Sequence, residues 1–303
     1  MYAAIDVGSN TLRMLIGRCT DSSVLAESYQ QQITRLGGGY CEESGLARES
    51  IDRTLAAIYS FHEIILQNQV EQVRLVGTAA LRRAVNAQHL VNLIKMKTRL
   101  ELEIISGKEE ARLSAAGVLS VLKPLPQTAL IVDLGGGSTE IVLYDDQQVR
   151  FSCSYPLGVV RLQEEMPDTQ DRQLYLQDMV VKISSDLLHA GISPLLFSRC
   201  ELIGTAGTMT TLAALDLGLE NYDRQQVNNH RLRLDWLQAT QQRLLALSVP
   251  ERETLPGFEP GRGDIIIPGL ELVIALCRYF KQQAIRVSDA GLLEGILLDF
   301  YRS

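Results

Sequence analysis

"LIVDLGGGSTEIVLYDD" (130–146) sets two apolar runs around three consecutive glycines and brackets the turn with two carboxylates, Asp133 and Glu140. The N-terminal stretch "YAAIDVGSNTLRMLIGR" (2–18) has the same shape. Asp6 ends its first run, small residues make its turn, and Ser9 and Thr11 follow as Ser138 and Thr139 do in the later copy. Glycine lets the backbone adopt φ > 0 and lets a ligand come close. Successive N–H groups in such a turn form an anion-binding concavity. An aspartate beside it repels phosphate unless a divalent cation lies between them, and Mg²⁺ commonly joins one or two carboxylates to phosphate oxygens. One hairpin of this kind reads most simply as a tight turn. Two of them, each opening one half of the chain, point to phosphate.

Working outward from the first hairpin, "SVLAESYQQQITRLG" (23–37) is expected to continue as a strand pair. Ile51, Leu55, Ile58 and Ile65 recur near helical spacing across 48–68. "VRLVGT" (73–78), "NAQHLVNLIKMKTRL" (86–100) and "ELEIIS" (101–106) read as strand, helix and strand, a βαβ unit that implies parallel pairing in a covered sheet. Ser106 followed by Glu109 is a capping-box pattern, so a helix is expected over 106–122. The two prolines of "KPLPQ" (123–127) mark a linker. Beyond it come the second hairpin, a strand near 149–155, helices near 171–190 and 235–247, and "CELIGTAGTMTTLAAL" (200–215) as strand, glycine turn and helix. A helix, a strand, a glycine-containing turn and a final helix close the chain.

A third glycine-rich loop, "GTAGT" (204–208) with Gly207 and Thr208, precedes a helix, whose N-terminus favours an anion. Cationic partners are few: Arg13 after the first loop, Arg82 in "GTAALRRA", and, less directly, Arg161 and Arg262. Arg83 reads as a solvated charge, and Arg262 has Asp264 nearby as a simple partner. Glu110 heads the helical stripe Glu110, Leu113, Ser114, Gly117, Val121, so its carboxylate is expected to point at a neighbour rather than open water. It would equally complement the helix dipole, for about a few tenths of a kcal/mol. Spacing alone leaves both readings standing.

The 303 residues suffice for two domains, and the formal charge of −7 provides no general basic field for nucleic acid or an acidic membrane. No apolar run nears the roughly 20 residues needed to span a bilayer. Cys19, Cys41, Cys153, Cys200 and Cys277 are scattered without C-x-x-C spacing, which fits plain buried thiols and a cytoplasmic setting better than disulfides or zinc.

In "AAIDVGSNTLRMLI", "VGTAALRRAVNA", "IISGKEEARLSAAGV", "IVDLGGGSTEIVL", "PLGVVRL", "GTAGT", "RGDIIIPG" and "VSDAGLLEGIL" the chain resembles the exopolyphosphatase/guanosine pentaphosphate phosphohydrolase (Ppx/GppA) family, in the superfamily of actin, sugar kinases and heat-shock chaperone ATPases. The resemblance implies two ribonuclease H-like α/β domains, taken here as 1–124 and 125–303, with the active site in the cleft between them. A final helix at about 289–303 is expected to return to the first domain. It implies Mg²⁺-dependent release of terminal orthophosphate from a phosphoanhydride. Residue by residue, the family's base falls on Glu110 and its phosphate-binding arginine on Arg82. Its metal-associated carboxylates fall on Asp133 and Glu140, and its phosphate loops on Gly8, Ser9, Asn10, Thr11 and on Gly135, Gly136, Gly137, Ser138, Thr139.

Longer members add a helical domain with a His-Asp signature. The four histidines here (His62, His89, His189, His230) are dispersed, so the short two-domain form is expected. Inorganic polyphosphate is the expected substrate and guanosine pentaphosphate the first rival. A sugar-kinase-like phosphotransferase and a catalytically silent sensor follow. No nucleic-acid or membrane partner is expected, and a homodimer is left open.

Overall fold

Tyr2–Val7 (β1) and Thr11–Cys19 (β2) form an antiparallel hairpin in the computed structural model, which describes residues 1–20, 24–197 and 199–302. The chain continues through Val24–Ile33 (β3), Arg48–Gln67 (α1), Gln72–Gly77 (β4), Ala79–Arg83 (α2), Ala87–Thr98 (α3), Leu102–Ile104 (β5) and Gly107–Val121 (α4). The first sheet has the order β3-β2-β1-β4-β5, with β1, β4 and β5 parallel and β2 and β3 antiparallel. That is the ribonuclease H-like arrangement. Apart from Asp6 near its end, β1 is apolar because both its faces are covered. Ala3, Ile5 and Val7 pack into one core with Ile51, Leu55, Ile58 and Ile65 of α1. Ala4 on the opposite face packs with Leu15, Val76 and Leu113 of α4.

The expected strand pair at 23–37 is a correction. Over the described part it is one ten-residue strand, β3, running along β2, while Ser23 lies outside the described residues. Its half-exposed to exposed glutamines suit an edge strand, which needs only one partner. The capping box at 106–109 is half formed. Ser106 Oγ accepts from Glu109 N at 3.2 Å, but the Glu109 carboxylate turns to Arg112 at 2.8 Å.

The second sheet has the order β10-β11-β9-β6-β7-β8, from Thr128–Leu134 (β6), Thr139–Asp145 (β7), Gln148–Tyr155 (β8), Glu201–Thr205 (β9), Arg231–Arg233 (β10) and Ala284–Val287 (β11). Its helices are Val159–Glu165 (α5), Thr169–His189 (α6), Pro194–Phe197 (α7), Gly207–Leu217 (α8), Arg224–Val227 (α9), Leu234–Leu245 (α10), Val249–Glu253 (α11) and Ile266–Tyr279 (α12). β6 to β9 and β11 repeat the pattern of β1 to β5. Asp6, Gly8, Thr11 and Arg13 correspond to Asp133, Gly135, Ser138 and Glu140 at one constant offset, and Gly77–Ala79 correspond to Gly204–Ala206 at the same offset. The duplication seen in two hairpins therefore extends through the fourth strand of each half.

The chain divides into two compact units: Met1–Val121 with Gly135–Ser138 and Ala290–Ser303, and Leu122–Leu134 with Thr139–Asp289. Leu292–Arg302 (α13) thus groups with the first unit, where it packs on α4. Backbones meet directly there: a β-carbon on Gly117 would lie 1.8 Å from the Gly291 carbonyl oxygen, and one on Gly295 would lie 1.8 Å from that of Leu113. Asp299 joins the contact through Arg112 at 2.8 Å and Arg74 at 2.9 Å. No helix among the described residues is long and apolar enough to cross a membrane. All five cysteines are free. Burial pushes the thiols of Cys200 and Cys277 up to about 11 and about 12, whereas Cys41 is exposed and departs from the expected buried setting.

Candidate active site

The two hairpins close with the same hydrogen bond. Gly8 N donates to Thr11 O at 3.2 Å, and Gly135 N donates to Ser138 O at 3.0 Å. In the first, Asp6 faces Arg13 across the strands; in the second, Asp133 faces Glu140. The duplicated position thus carries opposite charges, and only the second hairpin pairs two carboxylates. Glu140 is buried and accepts from Ser154 Oγ at 2.6 Å. Thr139 donates its hydroxyl to Leu157 O at 2.8 Å, and Asn10 donates to Thr11 Oγ1 at 3.3 Å. Ser9, Asn10, Thr11, Ser138 and Thr139 are all buried. Within the first unit the glycine turn lies on the first loop: a β-carbon on Gly136 would stand 3.1 Å from Asn10 N, and one on Gly137 2.4 Å from Ser9 Oγ.

Glu110 is 8 % exposed in the first turn of α4, and Arg82 Nη1 donates to its Oε2 at 2.5 Å and to Ile105 O at 3.1 Å. The stripe legible in the sequence is the inward one, since Leu113, Ser114 and Gly117 are buried while Arg112 is exposed. Of the two readings of Glu110, the carboxylate aimed at a neighbour is the one observed, and the neighbour is Arg82. Arg82 sits in a five-residue helix with no side-chain cap, so contacts from elsewhere must hold it. Arg83 lies 4.4 Å over the Tyr40 ring, and Tyr40 Oη donates to Arg83 O at 3.1 Å. Asn86 clamps Leu46 from both sides, accepting from its N at 2.8 Å and donating to its O at 3.0 Å.

Those partners lie on the segment 34–47, of which only 34–37 carried an expectation, as the end of the strand pair. Its other end is bound to the first loop: Thr34 N and Arg35 N both donate to Asn10 O, at 3.0 and 2.8 Å, and Gly37 N donates to Ser9 O at 2.7 Å. The signal was present in "LGGG" (36–39), the same four letters as 134–137. It lacks the preceding aspartate and follows a polar strand, so it does not read as a phosphate turn.

The third loop joins β9 to α8. Gly207 and Thr208 are buried, and the Arg262 guanidinium occupies the space over Gly207, where a β-carbon would fall 2.1 Å from its Cζ. Arg262 is 4 % exposed and its Nε donates to Glu259. A buried cation at a helix N-terminus opposes the dipole, and Glu259 offsets it. Arg161, by contrast, makes a surface pair with Glu165 at 2.7 Å, one turn along α5. Ala206, just before α8, has φ 73° and ψ 179°, a region open essentially to glycine alone. Ala206→Gly should therefore release about 1–3 kcal/mol of strain, against an unfolded-state entropy penalty of about 0.4–1 kcal/mol. A net gain of about 1 kcal/mol is expected in urea unfolding. A loss would mean that packing of the Ala206 methyl outweighs the strain.

Among the described residues no three His, Cys, Asp or Glu side chains form a metal-holding group. Any cation at the second hairpin would draw on its carboxylate pair and on the oxygens of a ligand.

Comparison with known proteins yields a consistent set. The model of the Ppx/GppA phosphatase family matches residues 18–303. Exopolyphosphatase 2 of Mycobacterium tuberculosis is 33% identical over 311 residues, covering 98% of this chain and 97% of that protein. Among solved structures, an exopolyphosphatase from Cytophaga hutchinsonii superposes with a TM-score of 0.87 at 25% identity, covering 99% of this chain and 98% of that one. The Aquifex aeolicus Ppx/GppA family member gives 0.79 at 28% identity, covering 99% and 97%.

Proposed function

Since the chain belongs to the Ppx/GppA phosphatase family, whose chemistry is hydrolysis of phosphoanhydride bonds, we propose that it releases terminal orthophosphate from inorganic polyphosphate with the help of Mg²⁺. The observation that carries this reading is the Glu110–Arg82 contact, a buried carboxylate at a helix start held at 2.5 Å by a guanidinium. Phosphoryl transfer runs through a loose transition state, so catalysis is mainly positioning and charge neutralisation. Glu110 orients the attacking water and takes its proton. Arg82 fixes the carboxylate's direction through Nη1, and its planar fork suits the equatorial phosphoryl oxygens. The N–H groups of the Gly8–Thr11 and Gly135–Ser138 turns supply further donors to the phosphate.

The second hairpin fits a cation better than the first. Arg13 already stands opposite Asp6, whereas Asp133 and Glu140 present two hard carboxylates on paired positions. Mg²⁺ uses one or two such groups together with phosphate oxygens. Bound there, it would neutralise phosphate charge.

The test is phosphate release from polyphosphate of defined length and from guanosine pentaphosphate, each with Mg²⁺ and with chelator, for the native enzyme and for Asp133→Asn. Release from the polymer that stops in chelator, returns with Mg²⁺ and needs a raised Mg²⁺ concentration in Asp133→Asn is the expected result. Release from the nucleotide alone would assign the substrate to the rival reading. Polymer hydrolysis indifferent to chelator would remove the cation.

A further inference from the structure

We propose that Arg35 is a substrate-binding residue that grips a phosphate of the polymer beyond the one being cleaved. Its backbone is the first support. Arg35 has φ 47°, in the left-handed region that favours glycine. Most other non-glycine residues with positive φ occupy places where that conformation is routine. Gln69, Arg99 and Lys281 lie just past helix ends, and Asp146 and Gln147 make the β7–β8 turn. Arg35 follows a strand, and three glycines, Gly37 to Gly39, begin two residues further on. A strained backbone persists only where its surroundings over-determine it, and such residues cluster at ligand clamps.

The second support is how firmly the residue is placed. Arg35 N donates to Asn10 O at 2.8 Å, Gly38 N donates back to Arg35 O at 3.0 Å, and the neighbouring Leu36 is fully buried. Gly37 N holds Ser9 O at 2.7 Å. An exposed guanidinium is thus mounted on a fixed backbone one hydrogen bond away from the loop proposed to hold the terminal phosphate. A long, delocalised cation there suits an anion that continues past that loop. Glycine would relax the backbone but would lose the cation, which accounts for an arginine at this position.

The proposal rests on the polyphosphate reading, and its experiment separates the two. Arg35→Gly and Arg35→Lys are compared with the native enzyme in urea unfolding and in steady-state kinetics on tripolyphosphate and on long-chain polyphosphate. Polymer binding is also measured by calorimetry in the Glu110→Gln background, which reports on Arg35 whether or not turnover occurs. The expected pattern is opposed: Arg35→Gly unfolds at higher urea, yet its KM and Kd for the long polymer rise about tenfold, as loss of one charge-assisted phosphate contact implies. Its kcat changes less than twofold, tripolyphosphate is affected less, and Arg35→Lys recovers part of the affinity. Unchanged polymer Kd in Arg35→Gly would overturn the assignment, as would a variant that is both less stable and slower on every substrate. Failure of the native enzyme to hydrolyse polymer that it still binds would count against the proposed function, not against Arg35.

Discussion

Glu110→Gln should release phosphate about 10²–10⁴ times more slowly than the native enzyme, the usual worth of a positioned general base, while KM and thermal stability stay close to native. Glutamine keeps the shape and can still accept from Arg82 Nη1, so the 2.5 Å contact has a surviving acceptor and α4 keeps its place. What disappears is the ability to take a proton from water. The loss should therefore fall on kcat, the signature of an interaction made in the transition state. Removing the base should also abolish the acid limb of the kcat–pH profile. Arg82→Ala provides the contrast, because it strips the carboxylate of its cation and weakens phosphate binding, so KM should rise with the fall in kcat. Near-native turnover by Glu110→Gln would remove the residue from the base role, whatever Arg82 does.

These residues differ in how far they could be read without coordinates. The paired hairpins were legible because their chemistry is local: an apolar run, a carboxylate and small residues, with closure by Gly8–Thr11 and Gly135–Ser138 bonds inside each turn. The inward face of α4 followed from helical spacing, which put Glu110 in line with Leu113 and Gly117. Partners distant in the chain were not legible. Nothing in the letters around Asn86 tells that its amide clamps Leu46, or that Tyr40 carries Arg83. Periodicity describes a segment's own faces and is silent on which loop crosses it. Arg262 shows the same limit at shorter range, since Glu259 and Asp264 are both within reach in sequence and its Nε bonds Glu259. The strained backbones of Arg35 and Ala206 were hidden for a further reason: neither residue type advertises a positive φ.

Removing one partner of the Arg172–Glu271 pair should have the largest effect on stability, about 3–5 kcal/mol, because it strands a buried charge. Both side chains are essentially out of water, at 3% and 1% exposure, and Arg172 Nε meets Glu271 Oε2 at 2.5 Å. Arg172 also donates to Met166 O at 2.7 Å and to Pro167 O at 3.3 Å, so it closes the turn into α6 as well as binding α12. Glu271→Leu leaves the guanidinium uncompensated. Arg172→Met leaves the carboxylate so and orphans two carbonyls besides. The double variant should then be less damaged than the singles combined, since an apolar pair of similar volume often replaces a buried ion pair at little loss. Its remaining deficit, about 1–3 kcal/mol, would come from the Met166 and Pro167 carbonyls. Trp236 is the only tryptophan of the chain and packs on the core of the second unit, so its fluorescence in urea reports the relevant transition. Singles that each lose less than about 1 kcal/mol, or losses that simply add, would show that the pair is not acting as a desolvated unit. The consequence reaches the site through α12 itself. Its Gly269 lies so close to Thr208 that a β-carbon would fall 2.6 Å from the hydroxyl oxygen, so loosening α12 removes the support behind the third glycine loop. Activity of the singles should accordingly fall at temperatures below their unfolding midpoints, and should recover in the double variant along with α12.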